Sequence, residues 1–210
     1  MNRINYNLEM KKIIDSLDGK KPKLLLHSCC APCSSAVLEK LKEIFDISIF
    51  YYNPNLDSKD EFIRRSDEQK RLAEELGIKK VIVEDYKPED YYLKIKGHEN
   101  DKEGGPRCFL CFELRLEKTA ELAKKFDFDY FTTTLSISPY KNAQALNEIG
   151  EKLGKKHGVN YLYSDFKKEN GYKRSIELSK LYKLYRQNYC GCEFSKKEAE
   201  LRERDKSKIL

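Results

Sequence analysis

The sequence predicts an α/β fold: a single domain over residues 1–210 with a mostly parallel sheet of about five strands, flanked on both faces by helices. Three observations carry this. Short apolar runs at 23–27, 47–52, 81–83, 130–135 and 161–163 alternate with longer stretches of helical spacing, the order that βαβ units produce. The 210 residues suffice for one well-filled core. The chain shows no internal repeat, low-complexity linker or domain break.

Each element has a local reason. Residues 1–18 read as a short amphipathic helix with Ile4, Leu8, Ile13, Ile14 and Leu17 on one side, so residues 1–20 form a helical extension. Pro22 precedes the first strand, and Pro32 opens a helix that runs to 44. The second strand ends at the turn Asn53-Pro54-Asn55. Asp57 or Ser58 caps a long helix to 76, where Gly77 stops it. After the third strand, 86–106 reads as irregular and ends in Gly104-Gly105-Pro106. Helices follow at 108–126, 142–153 and 173–188, and the charged tail 196–210 reads as helical. In such a three-layer, HUP/Rossmann-like arrangement, ligands bind beyond the carboxyl ends of the strands.

Charged residues make up 36% of the chain, against the usual ~25%. The N-terminus lacks the apolar stretch of a signal peptide, and no apolar run reaches the ~20 residues of a membrane span. A cytoplasmic protein with no membrane partner is expected. The net charge is +6, and from Lys141 onward 17 Lys and Arg face 10 Asp and Glu. That basic third points to a polyanionic partner such as nucleic acid.

Seven cysteines lie in three short motifs. In a reducing cytosol such a set points to metal or redox chemistry rather than structural disulfides. His27-Ser28-Cys29-Cys30-Ala31-Pro32-Cys33 turns from the first strand into a helix. There Cys33 gains from the helix dipole, which favours a thiolate. Gly104-Gly105-Pro106-Arg107-Cys108-Phe109-Leu110-Cys111 opens another helix. Tyr189-Cys190-Gly191-Cys192 follows the last core helix, and Gly191 lets two thiols face one centre.

Thiolates select zinc, copper(I) or iron–sulfur clusters. A cubane takes up to four, leaving about three for a mononuclear metal or for chemistry. Two other classes compete: a zinc-stabilised RNA-binding module without catalysis, and a thiol–disulfide oxidoreductase using Cys30 and Cys33. No Walker lysine loop and no G-x-G-x-x-G is present. Cysteines occupy the turn where a nucleotide would sit, so a metal centre is expected there.

Over residues 22–195 the sequence resembles the cobalamin-independent epoxyqueuosine reductases, the QueH family. The resemblance is carried by the three cysteine motifs together with Tyr51-Tyr52-Asn53-Pro54-Asn55, Thr133-Thr134-Leu135, Ser138-Pro139-Tyr140-Lys141, Asp165-Phe166-Lys167-Lys168 and Tyr185-Arg186-Gln187-Asn188. It implies reductive removal of the epoxide oxygen of epoxyqueuosine at the wobble position of a tRNA anticodon stem-loop. It also implies a [4Fe-4S] cluster, a second mononuclear metal (iron or zinc) nearby, and electrons from an external donor.

Cys29, Cys30, Cys33, Cys108, Cys111, Cys190 and Cys192 are the expected metal ligands. Asp165 is expected near the centre as a ligand or acid, or else as the cap of its turn. His27, at a strand end, is either a proton donor and ligand or a satisfied core histidine. Tyr51, Tyr52 and Asn53 contact a flipped-out base or simply pack. Tyr140 and Lys141 are expected to meet substrate and phosphate, and Arg186 and Gln187 to position either RNA or the groups around the metal ligands. Arg64, Arg65 and Arg71 read as a solvated helix face.

Overall fold

A computed structural model describes residues 4–207. Five strands, β1 (Lys23–His27), β2 (Asp46–Tyr51), β3 (Lys80–Val83), β4 (Tyr130–Thr133) and β5 (Asn160–Tyr161), form one sheet. Their order is β3-β2-β1-β4-β5 and every pairing is parallel. The helices are α1 (Tyr6–Asp15), α2 (Ala31–Leu41), α3 (Lys59–Glu75), α4 (Pro88–Lys94), α5 (Pro106–Lys125), α6 (Ala143–His157), α7 (Gly171–Leu181) and α8 (Glu193–Ser207).

The central strand β1 is apolar from Leu24 to Leu26 because both its faces are covered there. Leu24 and Leu26 pack into a core with Val37 and Leu38 of α2, Leu72 of α3 and Leu178 of α7. Leu25 points the other way, among Leu116 and Ala120 of α5 and Leu146 and Leu153 of α6. All these side chains are buried, each worth about 1.5–3 kcal/mol for a leucine. Helix ends follow their local chemistry. The Ser58 side chain accepts from Glu61 N at the start of α3, and Asn142 does the same for Ala145 N at α6. Gly158, left-handed at φ 68°, ends α6.

Several elements differ from expectation. Residues 88–94 form α4, with Pro88 at its start and Glu89 and Asp90 in its first turn, where an irregular segment was expected. The expected helix 173–188 stops at Leu181. Lys183 takes a left-handed backbone, and the chain then crosses α3, where Tyr185 N donates to Glu68 Oε1. The fourth strand ends at Thr133 and passes into a 3-10 turn, Thr134–Ile137. On α1, Tyr6, Asn7 and Met10 are buried, while Leu8, and Ile4 just before the helix, are exposed. The ends of the expected extension and tail, 1–3 and 208–210, lie outside the described residues.

From β1 the chain builds outward through β2 and β3, then returns to add β4 and β5 on the other side. The switch point therefore falls between β1 and β4. The loop carrying Cys29, Cys30 and Cys33 leaves β1 there, beside the 3-10 turn that leaves β4.

Candidate metal centre

The sulfurs of Cys29, Cys30 and Cys33 lie within 4.8 Å of one another, and Cys29 Sγ is 3.9 Å from Cys30 Sγ. The loop is held from both neighbouring strands. Cys29 N donates to Thr134 Oγ1 at 3.3 Å, and Asn53 Nδ2 donates to the Ser28 carbonyl at 2.9 Å. Cys30 is the N-cap of α2, and Pro32 presets its first turn, as expected. Below the loop, Ser28 and Ser34 both donate to Gln69 Oε1, at 2.6 and 2.8 Å. Hydrogen bonds from Cys29 and Cys33 hold the Cys30 thiol well below its usual value, and Arg65 lowers it further.

Cys108, Cys111, Cys190 and Cys192 line a second, small cavity together. Cys108 and Cys111 lie in the first two turns of α5, and Gly104 N donates to Cys108 Sγ at 3.2 Å. Cys111 and Cys192 are packed with Tyr91 and Ile95, so α4 seals this side. Burial pushes the Cys111 thiol up to about 12. Gly191 sits between the last two cysteines at φ 133°, where a Cβ would lie 2.5 Å from Leu56 Cδ2.

Cations surround these sulfurs. Arg115, 1% exposed, donates through Nε to the Cys111 carbonyl at 3.1 Å and through Nη1 to Asn53 Oδ1 at 3.5 Å. Arg65, 2% exposed, donates to the Cys190 carbonyl at 3.2 Å and pairs with Glu61 at 2.6 Å. Lys141 Nζ donates to Cys190 Sγ at 3.0 Å. Arg115 Nη2, Arg107 Nε and Asn55 Oδ1 are buried without a hydrogen-bond partner, and all three residues line the second cavity. The two guanidinium donors among them, beside four thiols, suit an anionic, sulfur-ligated group better than an empty pocket.

A third feature joins the two sets. A cavity of about 410 Å³ opens from the Cys29 loop between Tyr140, Lys141, Arg186, Gln187 and Tyr189. Tyr140, Lys141 and Cys190 line both this cavity and the smaller one. All seven expected cysteines thus collect at one end of the sheet, with Lys141, Arg186 and Gln187 at the opening.

Other expected residues are placed differently. Tyr51 and Tyr52 are buried, the first against Phe62 and the second against Phe50 with its hydroxyl on Asp90, so neither ring offers a face to a base. Asn53, also buried, braces the Cys29 loop and Arg115. Both nitrogens of His27 are engaged within the protein, Nδ1 with Thr133 Oγ1 at 2.8 Å and Nε2 with the Tyr52 carbonyl at 3.1 Å. Burial and the nearby Arg115 hold its imidazole down to about 3, so it is neutral at physiological pH. Asp165 lines a separate cavity that no cysteine reaches, and its carboxylate is paired with Lys167 at 2.7 Å. Arg65 does not belong to the solvated face expected of it, because the segment after Leu181 covers it.

Sequence reasoning missed Arg65 and Arg115 as neighbours of the sulfurs. For Arg115 a signal existed: Cys108, Cys111 and Arg115 fall at i, i+3 and i+7 of one helix, and so on one face.

A wholly parallel sheet with thiols at its switch point, where related folds keep a phosphate loop, defines a Rossmann-like protein with a cysteine-lined site. The family described as epoxyqueuosine reductase QueH matches residues 24–198, and the chain belongs to that family. Relatives named epoxyqueuosine reductase QueH include one from Staphylococcus epidermidis, 44% identical over 92% of this chain and 85% of its own length. One from Streptococcus pyogenes is 41% identical over 93% and 79%, and one from Thermotoga maritima 35% identical over 82% and 89%. Among solved structures, the U34-tRNA thiolase NcsA from Methanococcus maripaludis with its [4Fe-4S] cluster superposes with a TM-score of 0.55. It is 16% identical, with 90% of this chain and 67% of that one covered, a likeness of fold.

Proposed function

We propose that this chain is an epoxyqueuosine reductase that converts epoxyqueuosine in transfer RNA to queuosine. The epoxide oxygen takes two electrons and two protons and leaves as water, and the two ring carbons become doubly bonded. Family membership supports this activity over a zinc-stabilised RNA module or a thiol–disulfide oxidoreductase. The observation that carries it is the convergence of three plus four cysteines on one opening lined by Lys141 and Arg186. Work on transfer RNA fits a cytoplasmic protein, and no described helix is long and apolar enough to cross a membrane.

The thiol spacing favours a division of labour. Tetrahedral ligands at about 2.3 Å from one ion lie roughly 3.8 Å apart, so the compact trio Cys29, Cys30 and Cys33 suits a single iron or zinc ion. Four thiolates at the corners of a cubane stand further apart. Cys108, Cys111, Cys190 and Cys192 supply that number, and no three of them fall within 4.8 Å. When bound, such centres supply electrons one at a time and a Lewis acid for the epoxide oxygen.

The protein's own residues do the rest. Arg115 and Lys141 balance the thiolate charge. Asn53, Thr134 and the neutral His27 fix the Cys29 loop and the strand ends beneath it. Arg186 and Gln187, at the opening, orient the nucleotide, and an external donor supplies the electrons.

The test is made in cells that accumulate epoxyqueuosine in their tRNA for want of a reductase. Expression of this chain should replace epoxyqueuosine by queuosine in the nucleoside digest. Unchanged epoxyqueuosine with the protein present, iron-loaded and folded would refute the activity.

A further inference from the structure

The cavity around Asp165 belongs to no part of the metal centre. It measures about 650 Å³, within the ~300–1,000 Å³ typical of ligand pockets. Tyr140 and Lys141 line it and also line the 410 Å³ cavity that leads to the cysteines, so the two cavities meet at these residues. Tyr140 is 77% exposed, and its side chain has neither a ring partner nor a hydrogen bond among the described residues. A large bare aromatic between two open cavities has no packing role.

The chemistry on its far side is cationic. Lys168 is exposed and has no carboxylate partner among the described residues. The Asp165 carboxylate is already neutralised by Lys167. Asn142, Ala143 and Gln144, the start of the 15-residue α6, form another wall. Asn142 Oδ1 already accepts from Ala145 N, so the N–H groups of Ala143 and Gln144 are the ones left to favour an anion.

We infer that this cavity is a subsite for the nucleotide next to the one being reduced, with its base stacked on Tyr140 and its phosphodiester held by Lys168 and the first turn of α6. The inference rests on the RNA substrate proposed above. The modified base would enter the cysteine cavity on one side of Tyr140 while its neighbour lies on the other, splaying the two bases apart as single-stranded recognition requires.

The test measures binding of a fluorescent anticodon stem-loop RNA to the full chain, by anisotropy, across a salt series. Tyr140→Ala should weaken binding about tenfold and Tyr140→Phe should not, since stacking needs only the ring. An RNA made abasic beside the wobble position should bind the wild-type chain about tenfold more weakly, yet lose nothing further with Tyr140→Ala, because both changes delete one contact. Lys168→Gln should lower the slope of log affinity against log salt by about one. Tyr140→Ala binding as tightly as wild type, or an abasic penalty that persists in that variant, overturns the subsite. A wild-type chain that still reduces its tRNA under either result leaves the reductase standing, whereas a wild-type chain that binds no stem-loop removes both.

Discussion

Lys141 Nζ lies 3.0 Å from Cys190 Sγ, and the same lysine lines both the cavity open to solvent and the one enclosing four thiols. Burial would lower its ammonium, but the Cys190 thiolate opposes this and holds it above its usual range. Lys141 therefore carries its charge at the junction of the two cavities, beside Cys190. Lys141→Met should reduce kcat/KM at least about tenfold, the scale of one electrostatic contact to a developing charge. Its melting temperature should stay within a few degrees, and its iron content should match wild type. Steady-state kinetics with an iron assay checks this.

Asn53 joins two parts of the site through one amide, donating to Ser28 O and accepting from Arg115. Asn53→Ala leaves a buried carbonyl and a buried guanidinium short of partners. The cost should be about 1–3 kcal/mol in urea denaturation. Metal retention should fall with it, because the Cys29 loop loses its brace.

Gly191 is required by its surroundings. With φ at 133° and a Cβ 3.0 Å from Arg65 Nη1 as well as 2.5 Å from Leu56 Cδ2, Gly191→Ala forces the segment bearing Cys190 and Cys192 outward. A loss of about 1–3 kcal/mol is expected. The visible absorbance of reconstituted protein should drop more than that of Gly77→Ala, a helix-end glycine with open space around it.

Acid should destabilise the fold through carboxylates that cations hold down. Lys11 and then Lys40 draw Glu169 from 4.5 to about 2, Arg174 lowers Glu39, and Lys94 lowers Glu113. A folded-state value below the unfolded one means that the stabilisation is present above about 4.5 and is lost as pH falls toward 2. These pairs are largely solvent-exposed, so the effect per pair is small. Melting temperature followed from pH 6 to about 2.5 should fall, and Glu169→Gln should flatten part of that fall.

Much of this was legible from local pattern. The apolar runs gave the strands, Pro32 and Gly105-Pro106 marked the two helix starts that present cysteines, and the cysteine spacing marked the site. What stayed hidden is non-local. Nothing near Arg65 in sequence says that Cys190, 125 residues later, will lie against it. The burial of Tyr51 and Tyr52 depends on α3 and α4 closing over β2. Even α4 was half legible, since Pro88-Glu89-Asp90 is a helix-start signature within a segment whose charge resembles a loop.

The most direct measurement is turnover by purified protein. The chain is isolated without oxygen, reconstituted with iron and sulfide, and given epoxyqueuosine-containing tRNA with a strong reductant. Nucleoside mass spectrometry then follows the loss of one oxygen. The expected result is conversion to queuosine by the wild-type chain, abolished by Cys108→Ala with loss of bound sulfide, and abolished by Cys30→Ala with sulfide retained. No conversion by fully loaded wild-type protein, or full conversion by either variant, would contradict a reductase built on these two groups of thiols.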